Sequence, residues 1–145
     1  MIIKLLPEDI ERYEKAILLT LRKAVPNSEG DLLQIYNNTL EGLFSHRCQA
    51  WIVVDKDGEI PKALCITSFI EDVFTGIKSL LIYALYADSE LSFDEYSEGF
   101  QVFKDFAKFH KCKKILSYTD KKELVRIFSN LTSVQVRFYT EMEVS

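Results

Sequence analysis

Hydrophobic and polar positions change period several times along this chain. Residues 2–6 (IIKLL) read as a short first strand, and Pro7 then takes the favoured first turn of a helix that opens PEDIERYEK. Ile10, Tyr13, Ile17, Leu21 and Ala24 recur at the spacing of one helix face, and Pro26 with Asn27 ends the run. Leu32, Ile35 or Tyr36, Leu40, Leu43 and Phe44 form the stripe of a second helix that finishes near His46. From Gln49 the pattern is that of strands. AWIVVD, a turn at Asp57-Gly58 and KALCITSFIEDVF predict a β-hairpin. Thr75-Gly76 makes a further turn, and IKSLLIYALYA is a nearly unbroken apolar run, suited to a strand covered on both faces in the middle of a sheet.

Ser92-Phe93-Asp94-Glu95 has the capping-box spacing, with a hydroxyl at the cap and a carboxylate three residues later, and predicts a helix running to about Lys111. Phe93, Tyr96, Phe100, Phe103, Ala107 and His110 form its main stripe. Val102, Phe106 and Phe109 widen that stripe beyond what one sheet face covers, which predicts a protein partner or self-association into an oligomer. CKKILSYT reads as a strand, Asp120 caps a short helix carrying Leu124, Ile127, Phe128 and Leu131, and the chain ends in a strand. There Val134, Val136, Phe138, Met142 and Val144 share one face, opposite Gln135, Arg137, Glu141 and Glu143. The order is β-α-α-β-β-β-α-β-α-β. Hairpins make most of the pairing antiparallel, while the strand-helix-strand passage through residues 80–118 is a crossover that sets its two strands parallel.

Length and charge narrow the classes. At 145 residues, with 48% hydrophobic content, ten Phe and seven Tyr, the sequence 1–145 suits one domain around one core. The net charge of −4 and the scattering of 18 Lys and Arg give no basic face for a phosphate backbone, so direct nucleic-acid binding is not expected. No apolar run has membrane-spanning length, and the first residues lack a signal-peptide pattern. Three cysteines, 48, 65 and 112, are odd in number and set in apolar segments, as expected of a reducing compartment: the cytoplasm of a cell or of an infected host cell.

The element order, with AWIVVDKDGEIPKALCITSFIE leading into LLIYALYA and then FAKFHKCKKILSYTDKKELVRIFSNL, resembles the GNAT superfamily of N-acetyltransferases over nearly the whole chain. It is similar to small GNAT-like proteins of tailed phages. The resemblance implies an α/β domain with a mixed, mostly antiparallel sheet, and acetyl-CoA held where the fourth strand leads into the following helix. In this sequence those positions would be Leu85, Tyr86, Ala87 and Ser92. The family's loop there carries Arg or Gln and spaced glycines whose N–H groups cradle a pyrophosphate. Here the passage is ADSELSFDEYSEGF, with one glycine, Gly99, no Arg or Lys, and five acids at Asp88, Glu90, Asp94, Glu95 and Glu98. The family's general-acid tyrosine falls at Phe128, which has no proton to give.

These departures predict a GNAT-like domain without acetyl transfer and without a resident cofactor, working as a binding or structural module. An extended pantetheine-like or peptide segment would still find backbone groups at a splay between the fourth and fifth strands. The alternative is an active acyl-CoA-dependent N-acyltransferase with an atypical loop, for which Glu71 (or its neighbour Asp72) would be the base and Tyr118 the acid. Tyr139 is a further tyrosine in this region, and both it and Tyr118 also suit simple packing. His46-Arg47-Cys48 and His110-Lys111-Cys112 would supply four zinc ligands on paper, but their spacing is that of no finger or ribbon, so no metal is expected. No cysteine has a basic partner beyond these histidines to make it a nucleophile.

Overall fold

The computed structural model describes residues 1–25, 32–55, 61–119 and 121–144. Its elements are β1 (Ile2–Lys4), a 3₁₀ turn (Pro7–Asp9), α1 (Glu14–Ala24), α2 (Leu32–Phe44), β2 (Cys48–Val54), β3 (Pro61–Glu71), β4 (Lys78–Ala87), α3 (Phe93–Phe109), β5 (Lys114–Ser117) and α4 (Lys122–Leu131). The strands form one sheet in the order β1-β2-β3-β4-β5, antiparallel except for the parallel β4–β5 pair. The crossover through α3 accounts for that pair, because a strand reached by way of a covering helix returns in the same direction.

The two faces of the sheet carry separate cores. On one, Ile17 and Leu21 of α1 and Tyr36 and Leu43 of α2 pack against Ala50, Ile52, Leu64, Ile66 and Ala84. Thr20 and Thr39 are buried there too, each turning its hydroxyl back to a carbonyl one turn earlier, Ala16 and Ile35, at 2.8 Å. Gly42 is needed where α2 crosses the start of β2, since a Cβ at that position would collide with Cys48 Sγ. On the other face α3 sets Phe103 and Ala107 against Trp51, Cys65 and Leu80. Trp51 takes Phe103 and Phe106 edge-on, each with ring centroids at 5.0 Å. Its indole N–H donates to Thr67 Oγ1 at 2.9 Å, and that hydroxyl donates to Gln49 Oε1 at 2.7 Å.

Several expectations need correction. The regular part of the first helix starts at Glu14; Pro7 opens only a 3₁₀ turn, after which four turn residues tuck Ile10 into the core. Phe44, placed on the α2 stripe, is exposed at the helix end. β4 is an interior strand one place from the edge, and β3 holds the centre, because among the described residues only the short β5 lies beyond β4. Val102 and Phe106 are not surplus surface: they pack into the α3 core, where Phe106 also stacks on Phe69 at 5.7 Å, leaving Phe109 bare. The final alternating segment forms no strand. Residues 132–144 make no rung with the sheet and none of their side chains is buried. The Asp57-Gly58 turn and the Asp120 cap lie outside the described residues.

Phe103→Ala should cost about 3–5 kcal/mol, because it empties a site enclosed by Trp51 and the sheet. Phe74→Ala, at an exposed turn, should stay within about 0.5 kcal/mol. Urea denaturation checks both, and equal midpoints for the two variants would contradict this core.

Candidate functional site

β4 and β5 part company midway. Their rungs run from Ser79–Lys114 to Ile82–Ser117 and stop, while β4 continues to Ala87 with β3 alone beside it. At that point Tyr83 is the extra residue of a bulge, since Ile66 pairs with Ala84 but Thr67 pairs with Ile82. The result is a wedge-shaped opening whose β4 wall is Tyr83–Ala87. Among the described residues no strand faces its main-chain groups on that side, so an extended ligand could pair with them.

The predicted cofactor residues all fall on this opening. Leu85, Tyr86 and Ala87 form the wall, held from behind by rungs to Cys65, Leu64 and Ala63. Ser92 stands at the N-terminus of α3 above it. Tyr118, just past the last β5 residue, is exposed at the mouth and stacks on Tyr139 at 5.5 Å. Glu71 is not brought there. It pairs with Lys78 at the other end of β4, about 16 Å from the wedge at the usual strand rise. Asp72 belongs to the adjacent turn, where its Oδ1 accepts the N–H of Phe74 at 2.8 Å and of Thr75 at 3.1 Å. Those bonds hold its carboxyl below the usual range.

Two of the N–H groups at the helix end that would meet a ligand phosphate are taken from within. Ser92 Oγ accepts from Glu95 N–H at 3.1 Å, and Glu95 Oε1 accepts from Ser92 N–H at 3.0 Å. The carboxylate is held on its other side by Lys62 Nζ, at 3.0 Å from each oxygen, with both side chains only about one-fifth exposed. The Ser92 N–H and then Lys62 hold the Glu95 carboxyl below its ordinary range. The same wall is acidic: burial, followed by Glu90, Glu123 and Glu95, pushes the Tyr96 phenol up. Lys62, Tyr83 and Glu123 carry no signal in the sequence, and Tyr96 reads there only as part of the α3 stripe. The Lys62–Glu95 pair spans 33 positions, and a bulge carries no residue signature here.

The second family of candidates separates. His46, Cys48 and His110 line a small cavity of about 180 Å³ with Lys4, Gln49 and Phe106, at the end of the sheet away from the wedge. Cys112 does not join them, and among the described residues no three His, Cys, Asp or Glu converge as a metal site. Burial pushes all three thiols up, Cys65 to about 12, which is the opposite of an activated nucleophile. Phe128, the residue that the family resemblance would put in the general acid's place, lies half-buried on α4.

The Glu95 network makes an acid-side prediction. A carboxyl whose folded-state pKa is depressed adds stability above its unfolded value and loses it as pH falls through the folded one. Wild-type melting temperature should therefore drop as pH is lowered below about 4, and Glu95→Gln should be less stable at pH 7 yet flatter across that acid limb. Parallel pH curves for the two proteins, read by thermal denaturation, would contradict the assignment.

No protein-family model matches the sequence, and a search of curated proteins finds no match. Solved structures do match. A probable acetyltransferase superposes with a TM-score of 0.75 at 7% identity, covering 100% of this chain and 97% of its own. A predicted acetyltransferase from Clostridium acetobutylicum, solved with acetyl-CoA, gives 0.74 at 13% identity over 99% and 95%. An aminoglycoside acetyltransferase from an uncultured soil metagenomic sample gives 0.72 at 15% over 100% and 98%. Agreement of this extent at such low identity is agreement of backbone, and it shows that the chain has the GNAT acetyltransferase fold.

Proposed function

We propose that this chain is a GNAT-fold protein that has given up acetyl transfer and uses its wedge as a binding or structural module. The observation that carries the reading is the closed α3 N-terminus. The N–H groups of Ser92 and Glu95, two of the four at the helix end, are taken by each other's side chains, and Lys62 is committed to Glu95 and Asp55. Asp88, Glu90 and Asp94 stand exposed around the same approach. Like charges about 6–8 Å apart at an effective dielectric near 20 repel by roughly 2–3 kcal/mol before salt screening.

The acid–base side points the same way. Tyr118 at the mouth has no carboxylate from Glu71 to work with, and α4 offers Phe128 in place of a proton donor. What the wedge retains is backbone, which suits an extended peptide segment added beside β4. This reading gives the protein a protein partner, no resident cofactor, a cytoplasmic setting in a cell or an infected host, and kinship with small GNAT-like phage proteins.

Titration calorimetry with acetyl-CoA tests it. No saturable heat is expected below about 1 mM ligand, a limit near −4 kcal/mol. Saturable binding at micromolar concentration, abolished by bulky substitution at Ala87, would overturn the reading in favour of a working acyl-CoA-dependent transferase.

A further inference from the structure

We propose that the end of the molecule opposite the wedge is a membrane-docking surface: the β3–β4 turn enters the interface of an anionic lipid bilayer, and the lysines beside it hold it there. The turn presents two adjacent apolar side chains to solvent, Val73 at 87% and Phe74 at 94% exposed. Phe109, the last residue of α3, is 82% exposed. Glu71 pairs with Lys78 across the base of the turn, and Lys113 N–H donates to Lys78 O at 2.8 Å. β5 starts next to them, with Lys114 opposite Ser79. The turn, the C-terminal end of α3 and the start of β5 therefore share one end of the sheet.

Charge selects the partner. Lys111, Lys113 and Lys114 are exposed where α3 passes into β5, and Lys108 is exposed on the last turn of α3. Lys78 lies between them and the turn, its ammonium 4.2 Å from the Phe69 ring. Scattered in the sequence, these cations gather here. Glu71 and Asp72 on the hairpin offset them only in part. The opposite end carries Asp88, Glu90 and Asp94, all exposed around the wedge. A net charge of −4 conceals this division, and a negatively charged surface orients the molecule with its basic end inward.

The backbone of the turn suits an apolar surrounding. Asp72 Oδ1 accepts the N–H groups of Phe74 and Thr75, Asp72 O accepts that of Gly76 at 2.8 Å, and Thr75 Oγ1 accepts that of Ile77 at 3.2 Å. A backbone N–H taken out of water without a partner is costly, and these four already have one. Gly76, at φ 69°, stands in open space, so nothing crowds the approach to the tip. Apolar side chains flanked by lysines are the composition with which a surface segment lies in a bilayer interface, and the apolar and basic signals together give an attachment that one alone does not. Each lysine near an anionic leaflet strengthens that attachment about fivefold. The inference does not depend on what the wedge holds, because the length of β4 separates the two ends.

Vesicle co-sedimentation of the full chain tests it. Vesicles of phosphatidylcholine with about one-third phosphatidylserine should carry the protein down, and vesicles of phosphatidylcholine alone should not. Raising salt from about 0.1 M to about 1 M should weaken binding roughly tenfold or more, as the screening length falls from ~10 Å to ~3 Å. Lys113→Glu/Lys114→Glu should also weaken it by about tenfold or more. Val73→Ser/Phe74→Ser should do the same at an unchanged melting temperature, since both positions are exposed. Insertion itself is read with Phe74→Trp: lipids brominated high on their acyl chains should quench the introduced indole, while Trp51, 3% exposed, stays unquenched. Failure to sediment with the anionic vesicles overturns the inference, as does binding that survives both double variants or leaves the introduced indole unquenched. Binding to polyglutamate without binding to vesicles would give this end to an acidic protein segment instead, and overturns it too.

Discussion

The seating of α3 on Trp51 is the contact on which the rest of the molecule depends. An indole placed in mid-sheet brings a large apolar area and one donor, and a buried donor without an acceptor costs about 1–3 kcal/mol. Thr67 and Gln49 supply the acceptors in series, which frees both flanks of the ring to take Phe103 and Phe106. A helix fixed there runs from the C-terminal end of β4 back to the start of β5. The parallel β4–β5 pair, the wedge beyond Ile82 and the position of the α3 N-terminus at that wedge all follow from it. The candidate site is thus a by-product of core packing, not a separate construction.

Much of this was legible in the sequence where the determining interaction is local. The Ser92–Glu95 box closes over three residues and is legible there, as are the helical spacing of Ile17 with Leu21 and of Phe103 with Ala107 and the burial of Leu80, Leu81 and Ala84 in the apolar run. The chain's fold class emerged from the order of such pieces. What escaped depends on partners distant in sequence. Lys62 on β3 reaches Glu95 on α3, and nothing about either residue alone announces the pair. The Tyr83 bulge is a mismatch in length between two strands, a property of neither one. Glu71 looked like a base near the third strand's end, and it is at that end; the antiparallel turn simply directs that end away from the opening.

Aromatic excess misled for a related reason. Val102 and Phe106 widen the α3 stripe beyond a flat sheet face, but this sheet offers Phe69 from β3, with Lys4 Nζ 5.5 Å from the Phe106 ring, so the wider row is covered inside one chain. The tail presents the opposite case. Its alternation states which side chains would be buried in a strand without naming the neighbour, and a pattern of period two is satisfied only by hydrogen bonds to another strand. Covered rows and bare rows therefore look alike in sequence, and only the packed chain separates Val102 and Phe106 of α3, which are covered, from the apolar row of residues 134–144, which is bare.

The closed helix end bears on stability as well as on binding. A helix N-terminus has four N–H groups without partners in its own helix, and they can be satisfied by the chain or by a ligand, but not by both at once. A phosphate-binding turn leaves those donors free and gains its stabilisation only when the ligand is present, in proportion to ligand concentration over Kd. Here Ser92 and Glu95 take donors directly, and Lys62 holds the carboxylate in place, so the stabilisation is built into the unliganded chain. A cofactor reaching for the Ser92 N–H would have to displace a capping carboxylate held by its cation. The same three residues that complete the helix thus weigh against a tightly held acyl-CoA, and they do so by competition for donors rather than by the mere presence of negative charge.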